Sequence, residues 1–132
     1  MAAAESYPDD LKYHPDHDWA RLEGDEAALG ITWFAADSLG ELVHFEPPEV
    51  GATVSKDQSY GEVESVKAVS DVIAPMSGEI IEANEALGDT PENVNADPYG
   101  DGWLVKVRLS DPSEADQLMD AAAYRQHIGK SE

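Results

Sequence analysis

The stretch Gly61-Glu-Val-Glu-Ser-Val-Lys-Ala-Val-Ser-Asp71 reads as two short strands folded about a tight turn centred on Val66 and Lys67. Tyr60 to Ser65 supplies one strand and Val69 to Ile73 the other, and period-two alternation puts Glu62 and Glu64 on one face. Lys67 therefore stands at a hairpin tip, accessible to a modifying enzyme and able to swing whatever is attached to it. Taken alone it reads equally as a solvated turn lysine. The other lysines, Lys12, Lys56, Lys106 and Lys130, have no comparable setting.

Working outward, Ala74-Pro75 and Ser77-Gly78 turn the chain into a strand over Glu79 to Glu82. Upstream, Glu41 to Glu46 reads as a strand ended by Pro47-Pro48, which cannot donate ladder hydrogen bonds, and a turn around Gly51 follows. The start is a β-meander: Leu11 to Tyr13, Trp19 to Leu22 and Ala27 to Ile31, with Glu23-Gly24-Asp25 as the turn between the last two. Thr32 is placed to cap a short helix over Trp33 to Ser38 that Gly40 stops. From Ala83 to Gly102 the chain is too rich in Asn, Gly and Pro for a long element and reads as a surface connection or a single helical turn. Trp103 to Leu109 alternates as a half-buried strand that closes the sheet, although Leu104 spoils the pattern. Asp111-Pro112-Ser113-Glu114 has the form of a capping box and predicts one helix to about His127, its stripe of Ala115, Leu118, Met119 and Ala122 lying on the sheet and Gly129 stopping it. Short strands recurring every ten residues or so predict a mainly β barrel or sandwich.

A chain of 132 residues is expected to form one domain over 1–132, with β structure over about 11–110 and the closing helix over about 111–128. Its 28 acidic residues against 8 basic ones give a formal charge of −20, which repels polyphosphate and anionic headgroups and speaks against nucleic acid or a membrane surface as partner. So charged a chain is expected to be monomeric. With no cysteine, any sulfur redox chemistry must arrive on an attached group. Apolar runs such as Trp33 to Ala36 fall far short of the ~20 residues needed to span a bilayer, and the start, Met1-Ala-Ala-Ala-Glu-Ser, lacks the features of a secretory signal or transit peptide. A cytoplasmic location is expected.

Several chemistries are weakly supported. His14 and His17, with Asp16 and Asp18, are metal-ligand types, but a His-x-x-His on an extended segment lacks the second ligand pair that makes a spacing diagnostic. No serine sits in a Gly-x-Ser-x-Gly elbow, and Gly-rich phosphate loops are missing. An enzyme using His17 with Asp18 stays as an alternative, as does an acidic binding domain in which Lys67 is never modified.

Glu62-Val-Glu-Ser-Val-Lys67-Ala, followed by Ser70-Asp71, Ala74-Pro75 and Ser77-Gly78-Glu79, resembles the lipoyl-attachment hairpin of the glycine cleavage system H protein family. Leu11-Lys-Tyr13, Asp16-His-Asp-Trp19, Gly30-Ile-Thr32, Leu39-Gly-Glu41, Val94-Asn95, Asp97-Pro98-Tyr99 and Gly102-Trp103 resemble further family signatures in family order, so the likeness covers about Leu11 to Tyr124. Biotin carriers flank their lysine with methionines and acyltransferase lipoyl domains place an aspartate before it; Val66 and Ala68 match neither context.

The resemblance implies a flattened barrel-sandwich hybrid and a carrier rather than an enzyme, with lipoic acid in amide linkage on Lys67. It implies as partners glycine decarboxylase, from which the arm takes an aminomethyl group, aminomethyltransferase, dihydrolipoyl dehydrogenase and the lipoylating enzymes. It implies that Glu62, Glu64, Val66 and Ala68 help those enzymes recognise the hairpin, and that Asp18 and Asp71 line the cleft sheltering the loaded arm. Asp18 departs from the more usual glutamate, and Trp33 stands where the family more often has aspartate. Some relatives serve mainly to pass lipoate to other proteins, an alternative duty the pattern leaves open.

Overall fold

The computed structural model describes residues 4–129. Nine strands, β1 (Lys12–His14), β2 (Asp18–Glu23), β3 (Glu26–Ile31), β4 (Leu42–Glu46), β5 (Thr53–Val54), β6 (Ser59–Ser65), β7 (Val69–Ile73), β8 (Gly78–Ala83) and β9 (Val105–Leu109), form two antiparallel sheets. One has the order β1-β2-β3-β9-β8-β5 and the other β4-β6-β7. The sheets face each other across a core to which Leu29, Ile80, Val105 and Val107 of the first and Leu42, Phe45, Val63 and Val72 of the second contribute. This is the sandwich-like open barrel the sequence predicts.

The larger sheet is covered on its other face as well. Tyr7, Leu11, Tyr13, Trp19, Tyr99 and Tyr124 form a second buried cluster there. That double cover explains why β3 is buried continuously from Ala27 to Ile31 instead of alternating. Leu104, just before β9, is fully buried with Val105 in the core between the sheets, which is what disturbs the alternation. Gly30 belongs to the same packing: a Cβ there would lie 2.5 Å from the Trp19 ring. Trp33 packs against this cluster, and its amide donates to the Tyr99 hydroxyl at 2.9 Å.

The hairpins and the short helix α1 (Trp33–Leu39) fall where the sequence puts them; Thr32 Oγ1 accepts from the Ala35 amide at 3.2 Å, and Gly40 adopts φ 87° at the end. The polar connection holds more structure than expected: a 3-10 turn, Glu85–Gly88, and a short helix α2 (Asn93–Ala96), each burying one apolar residue, Leu87 and Val94. The two-residue β5 is too short to leave a periodic signal.

The single C-terminal helix is a correction. Pro112–Gln117 is a 3-10 helix, the chain then extends through Leu118, and a separate α3 (Ala121–His127) starts at Asp120, whose side chain accepts from the Ala123 amide. The break arises because Met119 pairs with Tyr13, N–H to O at 2.9 Å and O to N–H at 2.8 Å, so the backbone satisfies itself on β1 instead of continuing the helix. Leu118 and Ala115 are buried as expected, but Ala122 is exposed. Glu114 does not close a capping box; its carboxylate accepts from the Ser77 amide at 2.7 Å and the Ser77 hydroxyl at 2.9 Å. Gly129 follows α3 with φ 80°.

Candidate functional site

Strands β6 and β7 pair from Ser59↔Ile73 to Glu64↔Val69, leaving Ser65 to Ala68 as the turn. Ser65 closes it twice. Its amide donates to the Ala68 carbonyl at 2.8 Å, and its Oγ accepts from the amides of Ala68 at 3.0 Å and Lys67 at 3.3 Å. The tip backbone is thereby held while the side chains of Val66, Lys67 and Ala68 stand in solvent. Glu62 and Glu64 are likewise exposed, with Val63 between them pointing into the core, as period two requires.

The ground beneath the lysine is built by the α1–β4 link. Asn95 Nδ2 donates to the Gly40 carbonyl at 2.8 Å and its Oδ1 accepts from the Leu42 amide at 2.9 Å. The Val66 amide donates to the Glu41 carbonyl at 3.2 Å, tying the tip to that link. A Cβ on Gly40 would lie 3.6 Å from Lys67 Cε, so the lysine stem crosses a residue whose positive φ already favours glycine.

Next to Gly40, Leu39 forms part of the wall of a cavity of about 150 Å³ between α1 and the two sheets. Ile31, Phe34, Val63 and Val72 complete the apolar wall; Asp18 and Asp71, on strands of different sheets, line the same cavity. Asp71 is exposed at its rim. Asp18 is 2 % exposed, and its Oδ2 accepts from the Ile73 amide at 3.2 Å across the seam between the sheets. Burial holds the Asp18 carboxyl well above the usual carboxylate range; the Ile73 hydrogen bond opposes that rise and Asp16 adds to it. Tyr60 is buried near it, its hydroxyl without a hydrogen-bond partner among the described residues; burial, and secondarily the Asp18 charge, push its pKa up.

His17 also lines the cavity, in the left-handed region at φ 77°, with Nδ1 2.8 Å from the Tyr124 hydroxyl and its ring against Phe34. Burial, with His127 nearby, lowers its pKa. His14 turns elsewhere: Nε2 lies 2.6 Å from Asp57 Oδ1, and Nδ1 accepts from the Asp16 amide at 3.0 Å. His14 and His17 are thus committed to separate networks, and among the described residues no three His, Asp or Glu converge as a metal-ligand set.

The resemblance implies one cleft for Asp18 and Asp71 beside the lysine arm; in the structure both aspartates line one cavity, and the Lys67 stem passes over Gly40 next to it. Phe34, the wall residues and Asn95 were missed. The helical stop at Gly40 hints that α1 ends beneath the hairpin; Asn95 is marked only as part of the Val94-Asn95 likeness, and nothing local to it shows that it reaches Gly40 and Leu42.

A sandwich that holds one lysine on a clamped turn, beside an apolar cavity with a carboxylate floor, has the architecture of a carrier domain. The glycine cleavage H-protein family model matches residues 11–131. The glycine cleavage system H protein of Halorhodospira halophila is 54% identical over 122 residues, covering 92% of this chain and 94% of that one. That of Symbiobacterium thermophilum is 52% identical over 117 residues, covering 89% and 91%. The crystal structure of a glycine cleavage system H protein from Mycobacterium marinum superposes with a TM-score of 0.85 at 44% identity, covering 92% of this chain and 98% of that one. The chain belongs to the glycine cleavage H-protein family. It is a non-catalytic lipoyl carrier of the glycine cleavage system, a family whose members hold a lipoyl group covalently on a lysine and work with the other components of that system. Among the described residues no helix is long and apolar enough to cross a membrane.

Proposed function

We propose that Lys67 is the lipoylated residue, that the whole chain 1–132 acts as one cytoplasmic, monomeric carrier domain, and that its partners are glycine decarboxylase, aminomethyltransferase, dihydrolipoyl dehydrogenase and the lipoylating enzymes. One observation carries this: the exposed Lys67 stem crosses Gly40 beside a cavity that combines apolar walls with the buried Asp18 carboxyl. When bound, the lipoyl group supplies the sulfur that accepts an aminomethyl group and the dithiol that is afterwards reoxidised.

The residues present fit such an arm. A cavity of about 150 Å³ is of the size that in other proteins admits a small ring such as benzene, and Ile31, Phe34, Leu39, Val63 and Val72 offer the carbon surface a ring and alkyl chain require. Asp18 would meet a cationic group carried on the arm. A carboxyl whose ionisation is opposed by burial gains more from a nearby ammonium than one already solvated, so a cation drawn into the cleft favours the charged form of Asp18 and is held by it. Asp71 supplies a second carboxylate at the rim, and the apolar wall keeps water from the reactive end. Glu62, Glu64, Val66 and Ala68 present the surface by which the hairpin is recognised. A chain of charge −20 fits partners with basic faces, so docking to aminomethyltransferase weakens as ionic strength rises.

The test is intact mass and peptide mapping after co-expression with a lipoylating enzyme, comparing the native chain with Lys67→Arg. Arginine keeps the charge but cannot form the amide. One lipoyl group on Lys67 of the native chain and none on the variant is the expected outcome; addition at another lysine would break the assignment.

A further inference from the structure

We propose that Val43, Val66 and Val69 form an apolar seat, framed by carboxylates, on which the lipoylating enzyme docks with a surface that is apolar at its centre and basic at its rim. The inference rests on Lys67 being the acylated residue and adds two residues, Val43 and Val69, to its recognition surface. Of the described large apolar residues left exposed, Leu22, Val43, Val50, Val66 and Val69, the three valines named lie around the lysine turn, at 50 %, 70 % and 58 % exposure for Val43, Val66 and Val69. Single exposed apolar residues need no explanation, but a cluster around a functional atom does. Strand preference accounts for a valine within β4 or β7. It does not account for Val66, which sits in the turn.

The pairing shows how the three surround the lysine. Between Leu42↔Ser65 and His44↔Glu64 the β4–β6 register shifts, so Val43 and His44 together oppose Glu64 and both stay on the solvent side. Across the next ladder Glu64 faces Val69. Val43 and Val69 thus flank Glu64 from the two neighbouring strands, and Val66, two residues beyond Glu64, precedes the lysine in the turn. The adjacent row is Glu46, Glu62 and Asp71, paired directly across all three strands and all exposed. Like charges set opposite one another work against the sheet. Among the described residues the one ion pair that reaches this row is a distant contact from the neighbouring one, His44 Nε2 to Glu46 Oε1 at 3.8 Å. The face therefore offers uncompensated negative charge beside an apolar patch, the complement of a basic, apolar-centred surface.

The acylation step itself identifies the occupant. For the amide to form, Lys67 Nζ must bond the acyl carbon of an activated lipoyl donor. The bond from that carbon to its activating group breaks, the leaving group takes the electron pair, and the protons shed by the amine pass to a base on the enzyme. Lys67 must therefore enter the enzyme's active site, and the residues bordering the turn are covered when it does. Before acylation no arm exists for a partner to grasp, so this enzyme has only the tip and its surrounding face to read. Enzymes acting later receive an arm that reaches into them.

The test is the steady-state rate of acylation of the full chain by a purified lipoylating enzyme with an activated lipoyl donor, read by intact mass. Val43→Ser, Val66→Ser and Val69→Ser are compared with Val50→Ser, a control on an exposed valine outside the hairpin face. Each hairpin variant is expected to raise the KM for the carrier roughly fivefold with kcat within about twofold, whereas the control stays at the native value. Val43→Thr and Val69→Thr keep the branched shape and strand preference, and a raised KM there with an unchanged melting temperature assigns the effect to lost apolar contact. Native KM in all hairpin variants, with acylation still at Lys67, overturns the seat and leaves the lysine assignment standing. Failure of the native chain to be acylated at Lys67 overturns the assignment itself.

Discussion

At the hairpin tip a valine, Val66, is 70 % exposed; on the cleft floor, one strand layer away, a carboxyl, Asp18, is 2 % exposed. Both placements reverse the usual distribution of side chains, but they weigh on the fold differently. An apolar side chain left in water adds almost nothing to the free energy of the folded state, since the unfolded chain exposes it too. A buried carboxyl must lose hydration on folding, and that loss acts against stability at every pH where the group would otherwise ionise. An exposed valine at the tip is thus nearly neutral for this fold, whereas a prepared cation site lowers its stability.

That contrast is broken or sharpened by substitutions at the two places. The largest effect is expected at the packing beneath the floor. Gly30→Ala drives a Cβ into the Trp19 ring and should lower stability by on the order of 3 kcal/mol, read as a shifted urea midpoint. Asp18→Asn keeps an acceptor for the Ile73 amide and removes the buried charge. The folded carboxyl titrates above its unfolded value, so native and variant chains should match in stability near pH 4 and below. The native chain then loses ground as pH rises from the unfolded toward the folded value, leaving the variant the more stable of the two at pH 8 in paired melts. If the native chain is as stable as the variant at pH 8, the floor is not a strained site. Ser65→Ala removes the hydroxyl that accepts the Lys67 and Ala68 amides and should cost about 1 kcal/mol while speeding amide exchange in the turn. Tyr60→Phe removes a buried hydroxyl that lacks a partner among the described residues and should gain up to about 1 kcal/mol by thermal unfolding. Val66→Ser should leave the melting midpoint within about 0.5 kcal/mol of native, the result that separates tip from floor most directly.

The tip was far more legible in the sequence than the floor. A hairpin is local: alternating residues on either side of Val66-Lys67 fix its strands, and Thr32 and Gly40 mark the ends of α1 by the same kind of nearby signal. The floor is assembled by chain crossings. Asp18 meets Ile73, and Asn95 meets Gly40 and Leu42, over separations of 55, 55 and 53 residues that no periodicity records. Resemblance named Asp18 and Asp71, but not the wall around them. The C-terminal segment failed for a related reason. Its capping residues and apolar spacing are those of one helix, yet Met119 finds its partners on Tyr13, and Glu114 is drawn to Ser77. Distant hydrogen-bonding groups outweighed local propensity there. Val43 was missed because its exposure depends on a register shift visible only once β4 is paired with β6.

The Ser65 clamp bears on how a shuttle spends its time. The turn backbone is already fixed by its own side chain, so a partner meeting it has no loop to freeze, and the freedom given up on encounter is confined to the lysine and what hangs from it. A target that keeps one shape between visits makes each collision worth more. Handover can then be frequent without being tight, and release need not wait for a loop to unfold from its host.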